Sequence, residues 1–152
     1  MYSSVLSTAI SGVEGVAVLV EADVSNGLPM FSMVGFLSSR VREAQDRVWT
    51  ALRNTGLSFP PKRITVNLSP ADIRKEGTRF DLPIAAALLG AFGYLDKEKL
   101  QGVCMAGELG LNGEVKGIRG VLSIIDTAEK NGCSLCIVPK KNLPEAVSAG
   151  RI

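Results

Sequence analysis

Residues 2–9 and 13–24 are rich in valine and other β-compatible residues, and Ser11-Gly12 separates them. This pattern predicts a hairpin, with Val16, Val18 and Val20 sharing one face of its second strand. Asn26-Gly27 is a turn signal, and a third strand is expected over residues 30–34, ended by Gly35. Ser38 or Ser39 can cap a helix running to about Asn54. On that helix Val41, Ala44, Val48, Ala51 and Leu52 recur at helical spacing, and Thr55-Gly56 closes it. Pro60-Pro61 breaks the chain before a β-branched run at 63–68. Residues 81–92 have almost no polar face, which predicts a central, buried helix. Further on, a strand is expected at 102–106. A hairpin follows at 108–115 about Asn112-Gly113, then a helix at 119–131, a strand at 135–138 and a short helix at 141–149. Strands come first as a meander and then as β-α units. The fold class is α+β (mixed α/β), with helices packed on a mixed sheet.

Composition narrows the picture. The chain has 152 residues, 46% hydrophobic and 21% charged, which fits one domain spanning 1–152 with a real core. Its end at Gly150-Arg151-Ile152 carries no stop signal, so a domain boundary is expected there. Net charge is +2, so any basic patch has to be local. The chain contains no histidine, which excludes a His-ligated metal and a His-based triad within it. No apolar run approaches the roughly 18 residues of a membrane span. The start, Met1-Tyr2-Ser3-Ser4, lacks the basic opening of a signal peptide. A soluble, cytoplasmic protein without membrane partners is expected. Cys133-Ser134-Leu135-Cys136 spells C-x-x-C but leads into a strand rather than a helix, so these cysteines and Cys104 read as small core residues.

Candidate chemistry centres on residues 67–85. A charged loop, Lys75-Glu76-Gly77-Thr78, precedes Phe80-Asp81-Leu82-Pro83 and the buried helix. Asp81 is placed to cap that helix, with Pro83 in its first turn. Arg40, Arg42 and Arg47 on the first long helix, with Lys62 and Arg63 beyond it, are the candidate DNA contacts. Arg42 with Asp46, and Glu43 with Arg47, sit four residues apart, so much of that charge is expected to be neutralised internally. No glycine run matches a P-loop, so no ATP site is expected in this chain. Trp49 lies beside the apolar face and reads as core.

Residues 63–72 (Arg-Ile-Thr-Val-Asn-Leu-Ser-Pro-Ala-Asp), Lys75-Glu76-Gly77 and Phe80-Asp81-Leu82-Pro83-Ile84-Ala85 resemble a known family. It is the N-terminal domain of Mg-chelatase-like AAA+ ATPases of the ComM/YifB type. Residues 30–35, Arg47-Val48, Asn54-Thr55-Gly56, Phe59-Pro60 and residues 107–114 fit the same pattern. One departure is Phe36-Leu37-Ser38, where the family usually has Leu-Pro-Asp. The resemblance implies a Lon-protease-like fold shared with ribosomal and DNA-repair proteins. It also implies a following AAA+ module, with ATP and Mg2+ bound there, a homo-hexamer, and a link to branch migration in natural transformation. A Lon-type protease uses a serine and a lysine. The serine's position falls on Asp81 and the lysine's near Leu122, so no peptidase activity is expected. A rearranged hydrolase would have to combine Ser69, Thr78 or Ser123 with Lys75 or Lys116. A protein-binding recruitment module is the remaining alternative.

Overall fold

The computed structural model describes residues 1–12 and 14–148. Strands β1 (Tyr2–Ser11) and β2 (Glu14–Ser25) form the expected hairpin, paired antiparallel through ten residues, with Val5 opposite Val20. Strand β3 (Met30–Val34) precedes two helical segments, α1 (Ser39–Arg42) and α2 (Ala44–Arg53), where the sequence pattern predicts one helix. The interruption is slight, because Glu43 between them keeps a right-handed helical backbone. Ser38 is the cap: its hydroxyl accepts from the Val41 N–H at 3.3 Å. Strand β4 (Arg63–Ser69) and helix α3 (Asp81–Phe92) follow. Then come a 3-10 turn at Lys97–Leu100, strand β5 (Val103–Met105) and the small ribbon β6 (Glu108–Leu109) and β7 (Val115–Lys116) about the expected Asn112-Gly113 turn. Helix α4 (Val121–Lys130), strand β8 (Leu135–Ile137), a second 3-10 turn at Lys140–Asn142 and helix α5 (Leu143–Ser148) complete it. Residue 149 of the expected last helix, and the boundary expected at 150–152, lie outside the described residues.

The main sheet has the order β3-β4-β2-β1-β5-β8. It is mixed: β1 with β2 and β2 with β4 are antiparallel, while β3–β4, β1–β5 and β5–β8 are parallel. Alternation along the strands splits the core between the two faces. Val5, Ala9, Val18, Val20, Ile64, Val66 and Leu68 share a cluster with α2 and α3, whereas Leu6, Cys104 and Cys136 pack with Ile124 and Ala128 of α4. Trp49 closes the first cluster with Phe31, Phe59 and Phe92 at centroid distances of 6.0, 5.5 and 6.1 Å, so it is core as expected.

Helix α3 is built to come close. Its run Ala85-Ala86-Ala87, with Gly90 and Ala91, is buried against β1 and β2. A Cβ on Gly90 would collide with the Ser3 hydroxyl, so only glycine permits this approach. Among the described residues the buried Ser3, Ser7 and Thr8 hydroxyls of β1 find no hydrogen-bond partner. Ser3 and Ser7 are short enough on the α3 face to admit the helix at that penalty, about 1–3 kcal/mol for each unpaired group, while Thr8 lies on the opposite face with Leu6. No helix among the described residues is long and apolar enough to cross a membrane.

Gly35, where β3 ends, has φ +124°, and a Cβ there would overlap the Leu68 carbonyl oxygen. Gly35→Ala is therefore expected to destabilise the fold by about 2 kcal/mol or more, combining left-handed strain with displacement of β4. Urea unfolding checks it; an unchanged midpoint would refute the close approach.

Candidate functional site

The segment 70–80 runs from the end of β4 to the start of α3, and two charged side chains fix it. The Lys75 side chain is wholly buried. Its ammonium donates to the Gly35 carbonyl at 2.6 Å and to the Pro70 carbonyl. The Lys75 backbone is held too: its N–H donates to Phe36 O at 3.0 Å, and its carbonyl accepts from the Ser38 N–H at 2.9 Å. Lys75 thus zips this loop to the one that leads into α1. Burial lowers its ammonium from the ordinary lysine value, partly offset by Asp72.

Asp81 begins α3 but does not cap it. The cap position is Phe80, which accepts no side-chain hydrogen bond, and the capping role expected of Asp81 is not what its carboxylate does. Fully buried, Asp81 receives Arg47 in a fork, Nε to Oδ2 at 2.8 Å and Nη2 to Oδ1 at 3.0 Å, plus the Leu109 N–H at 3.1 Å. A partner 34 positions away has outcompeted the helix's own first amides. Burial pushes the Asp81 carboxyl up, while Arg47 and the Leu109 N–H pull it down. Arg47 also donates to the Arg40 carbonyl at 3.0 Å and approaches Glu43 at 3.8 Å. The Arg42–Asp46 pair expected from the spacing does not form among the described residues.

The five cations expected to meet DNA do not form one patch. Arg40 and Arg42 are exposed on α1, beyond the last residue of β3, and Arg47 is committed to Asp81. Arg63 pairs in register with Met30 at the other end of β3, about 13 Å away along the strand, and Lys62 donates to Asn26. Structure instead gathers a different set. A cleft of about 960 Å³ opens beside the 74–79 loop, lined by Arg40, Arg74, Arg79, Arg119 and Lys141, with Glu76 and Glu108 as its carboxylates. Arg79, absent from the expected set, sits at its wall, 9% exposed, donating to Arg119 O at 2.7 Å and Thr8 O at 3.4 Å. Burial lowers its pKa. Gly77 and Thr78 line the same cleft, and Glu76 pairs with Arg74 at 3.2 Å. Pro83 lies buried in the first turn of α3, as expected.

Of the hydrolase candidates, Ser69, Lys116 and Ser123 lie on separate elements. Ser123 donates to Gly120 O at 2.7 Å, Ser69 ends β4 opposite Leu19, Lys116 is exposed on β7, and Leu122 is exposed on α4. Among the described residues no cluster of acidic or cysteine side chains is arranged to hold a metal ion. All three cysteines are free; Cys104 and Cys136 are register partners on β5 and β8, and Cys133 precedes the strand.

Removing Arg47 should leave the Asp81 charge buried alone. Arg47→Leu is expected to lose about 3–5 kcal/mol at neutral pH. Burial already holds the Asp81 carboxyl above its ordinary value, and without Arg47 that push and the nearby Glu108 are opposed by the Leu109 N–H alone, so its folded pKa rises further above the unfolded one. Such a group stabilises at low pH and loses that contribution as pH rises through the folded pKa. The deficit measured by urea unfolding should therefore shrink on acidification and be smaller again in Arg47→Leu with Asp81→Leu. A deficit independent of pH would contradict the charge argument.

Comparison with known proteins accounts for the loop motif. Residues 20–142 match the family model described as subunit ChlI of Mg-chelatase. The competence protein ComM of Haemophilus influenzae is 46% identical over 142 residues, covering 93% of this chain and 28% of that protein. The uncharacterized protein YifB of Escherichia coli is 45% identical over 143 residues, 94% of this chain and 28% of its own length. The Lon protease of Mycolicibacterium smegmatis is 28% identical over 144 residues, 90% of this chain and 18% of that protein. The chain thus spans little more than a quarter of ComM and YifB, and the mixed α+β sheet agrees with the distant Lon likeness. The chain belongs to the ChlI (Mg-chelatase subunit) family and corresponds to the N-terminal domain of the ComM and YifB proteins.

Proposed function

We propose that this chain is a non-catalytic accessory domain of a Mg-chelatase-like AAA+ ATPase, supporting hexamer assembly and DNA processing such as branch migration in competence. The observation that carries the reading is the fate of the charged groups in the 75–81 loop. Lys75 is sealed on two carbonyl oxygens, and Asp81 is sealed in a fork with Arg47. A general base has to reach a proton on the nucleophile, and a lysine enclosed in this way supports the architecture instead. Gly110 and Gly113 serve the β6–β7 turn, with Gly110 N–H donating to Glu114 O and Gly113 N–H to Gly110 O. They are turn glycines, so ATP and Mg2+ belong in this reading to the AAA+ module that shares the protein.

The name of ComM associates that relative with competence, and the present chain inherits the association as part of the proposal. The working form would be a cytoplasmic homo-hexamer whose ATPase ring acts on DNA. The 152-residue chain alone should hydrolyse no ATP and cleave no peptide, while the protein that includes the AAA+ module should do the former. Phosphate release and a serine-directed activity probe check this; turnover by the pure chain, abolished by Ser123→Ala or Thr78→Val, would establish a hydrolase instead. Deleting this domain should lower the fraction of hexamer measured by light scattering, and an unchanged hexamer would remove the assembly role.

A further inference from the structure

The cleft beside the 74–79 loop carries a charge pattern that the fold does not neutralise. Its walls hold five cationic side chains and two carboxylates, in a chain with 17 cations and 15 acids overall. One of those carboxylates, Glu76, is already paired with Arg74. The most confined cation is Arg79. Its guanidinium meets two carbonyl oxygens, and no carboxylate pairs with it among the described residues. It also lies against the start of α4. Gly120, the cap residue, has φ +77°, and a Cβ there would stand 2.9 Å from Arg79 Nη2. The glycine lets the guanidinium approach, and the N-terminus of a 10-residue helix adds its own positive potential to that of Arg79, Arg119 and Lys141. Like charges held together in this way repel one another until an anion enters.

The backbone bonded to the 74–76 segment adds a second feature. Phe36 is 55% exposed and has φ +60°, a left-handed backbone that bulky residues rarely adopt. It is bonded through its carbonyl to Lys75, between the cleft residues Arg74 and Glu76, and it precedes cleft residue Ser38 by two positions. The backbone holds this strained conformation while presenting an aromatic side chain to solvent. Cations that track phosphates, beside an aromatic surface that accepts any base, are the ingredients of single-strand binding.

We infer that this cleft binds the phosphodiester backbone of a nucleic acid single strand, with Arg40, Arg119 and Lys141 contacting phosphates around buried Arg79 and Phe36 offering a base platform beside the 74–76 segment. The inference rests on the DNA-processing reading above for its nucleic-acid class, and of the five cations the sequence suggested its surface keeps Arg40 alone. Its test is independent of ATPase activity or hexamer formation, so either can fail without the other.

The experiment is fluorescence anisotropy of labelled oligo-dT of about 16 nucleotides with the full chain, at about 50 mM salt and above. The variant Arg40→Glu with Arg119→Glu and Lys141→Glu changes only side chains at the cleft surface, and its thermal unfolding should match the parent. It should bind about tenfold or more weakly, with a salt slope reduced by about 0.7 for each phosphate no longer neutralised. Lys62→Glu with Arg63→Glu should leave affinity unchanged. Phe36→Ala should weaken binding several-fold. The assignment is overturned if the parent chain does not bind, if the triple variant binds equally well, or if Phe36→Ala has no effect. Tighter binding of a duplex overturns it too, as does displacement of the oligonucleotide by inorganic tripolyphosphate at equal phosphate concentration.

Discussion

One carboxylate organises the region between the sheet and its helices. Asp81 ties α2 through Arg47, β6 through the Leu109 N–H, and α3 through its own backbone, while the Arg40 carbonyl brings α1 to the same guanidinium. Arg79 and Leu82 on either side exchange backbone hydrogen bonds with Gly107 at 2.9 and 3.0 Å, so the β6–β7 ribbon is fastened to the loop on both sides of the ion pair. A buried pair of this kind adds little net stability relative to a well-packed apolar replacement, but breaking it from one side is far more damaging. It fixes where α3 starts, and therefore where Phe80, Arg79 and the loop before them stand.

Lys75 has the corresponding role in the neighbouring loop. Its ammonium spans the ends of β3 and β4, and its backbone forms a short parallel bridge with Leu37. A lysine placed there satisfies two carbonyls with donors on a flexible stem, where an apolar residue would leave both unpaired. These two interior charges hold the chain, whereas Arg40, Arg119 and Lys141 line the cleft from exposed positions. The division separates architecture from the surface available to a ligand.

The regular elements were legible because their signals are local. Alternation in residues 14–25, the apolar run 81–92 and Asn112-Gly113 each specify an element without reference to distant residues. The family was legible for a related reason, since the 63–85 motif is contiguous. What stayed hidden was long-range. An aspartate before Leu82-Pro83 looks like a cap until Arg47, 34 residues earlier, claims it. Arg47 looks like half of a surface pair with Glu43, and the structure leaves that contact at 3.8 Å beside one at 2.8 Å. Arg79 carries no periodic signal at all; its importance arises when the end of β1 and the start of α4 meet around it. The cations of the cleft could not be grouped from the sequence because spacing along a helix says nothing of which strand end lies opposite.

The strand order has a consequence for how the molecule is made. β1 lies inside the sheet, but its two neighbours arrive at very different times: β2 begins three positions after β1 ends, whereas Leu6 must wait for Cys104 on β5. The block β1-β2-β4-β3 is complete in sequence by residue 69, and α3 by residue 92. On a ribosome this first half can condense while β1 still shows a bare edge, the kind of edge that recruits foreign strands. Docking of β5 and β8 then closes that edge in a late, slow step governed by chain separation. Nascent chains stalled before residue 103 should thus be the species most in need of a chaperone.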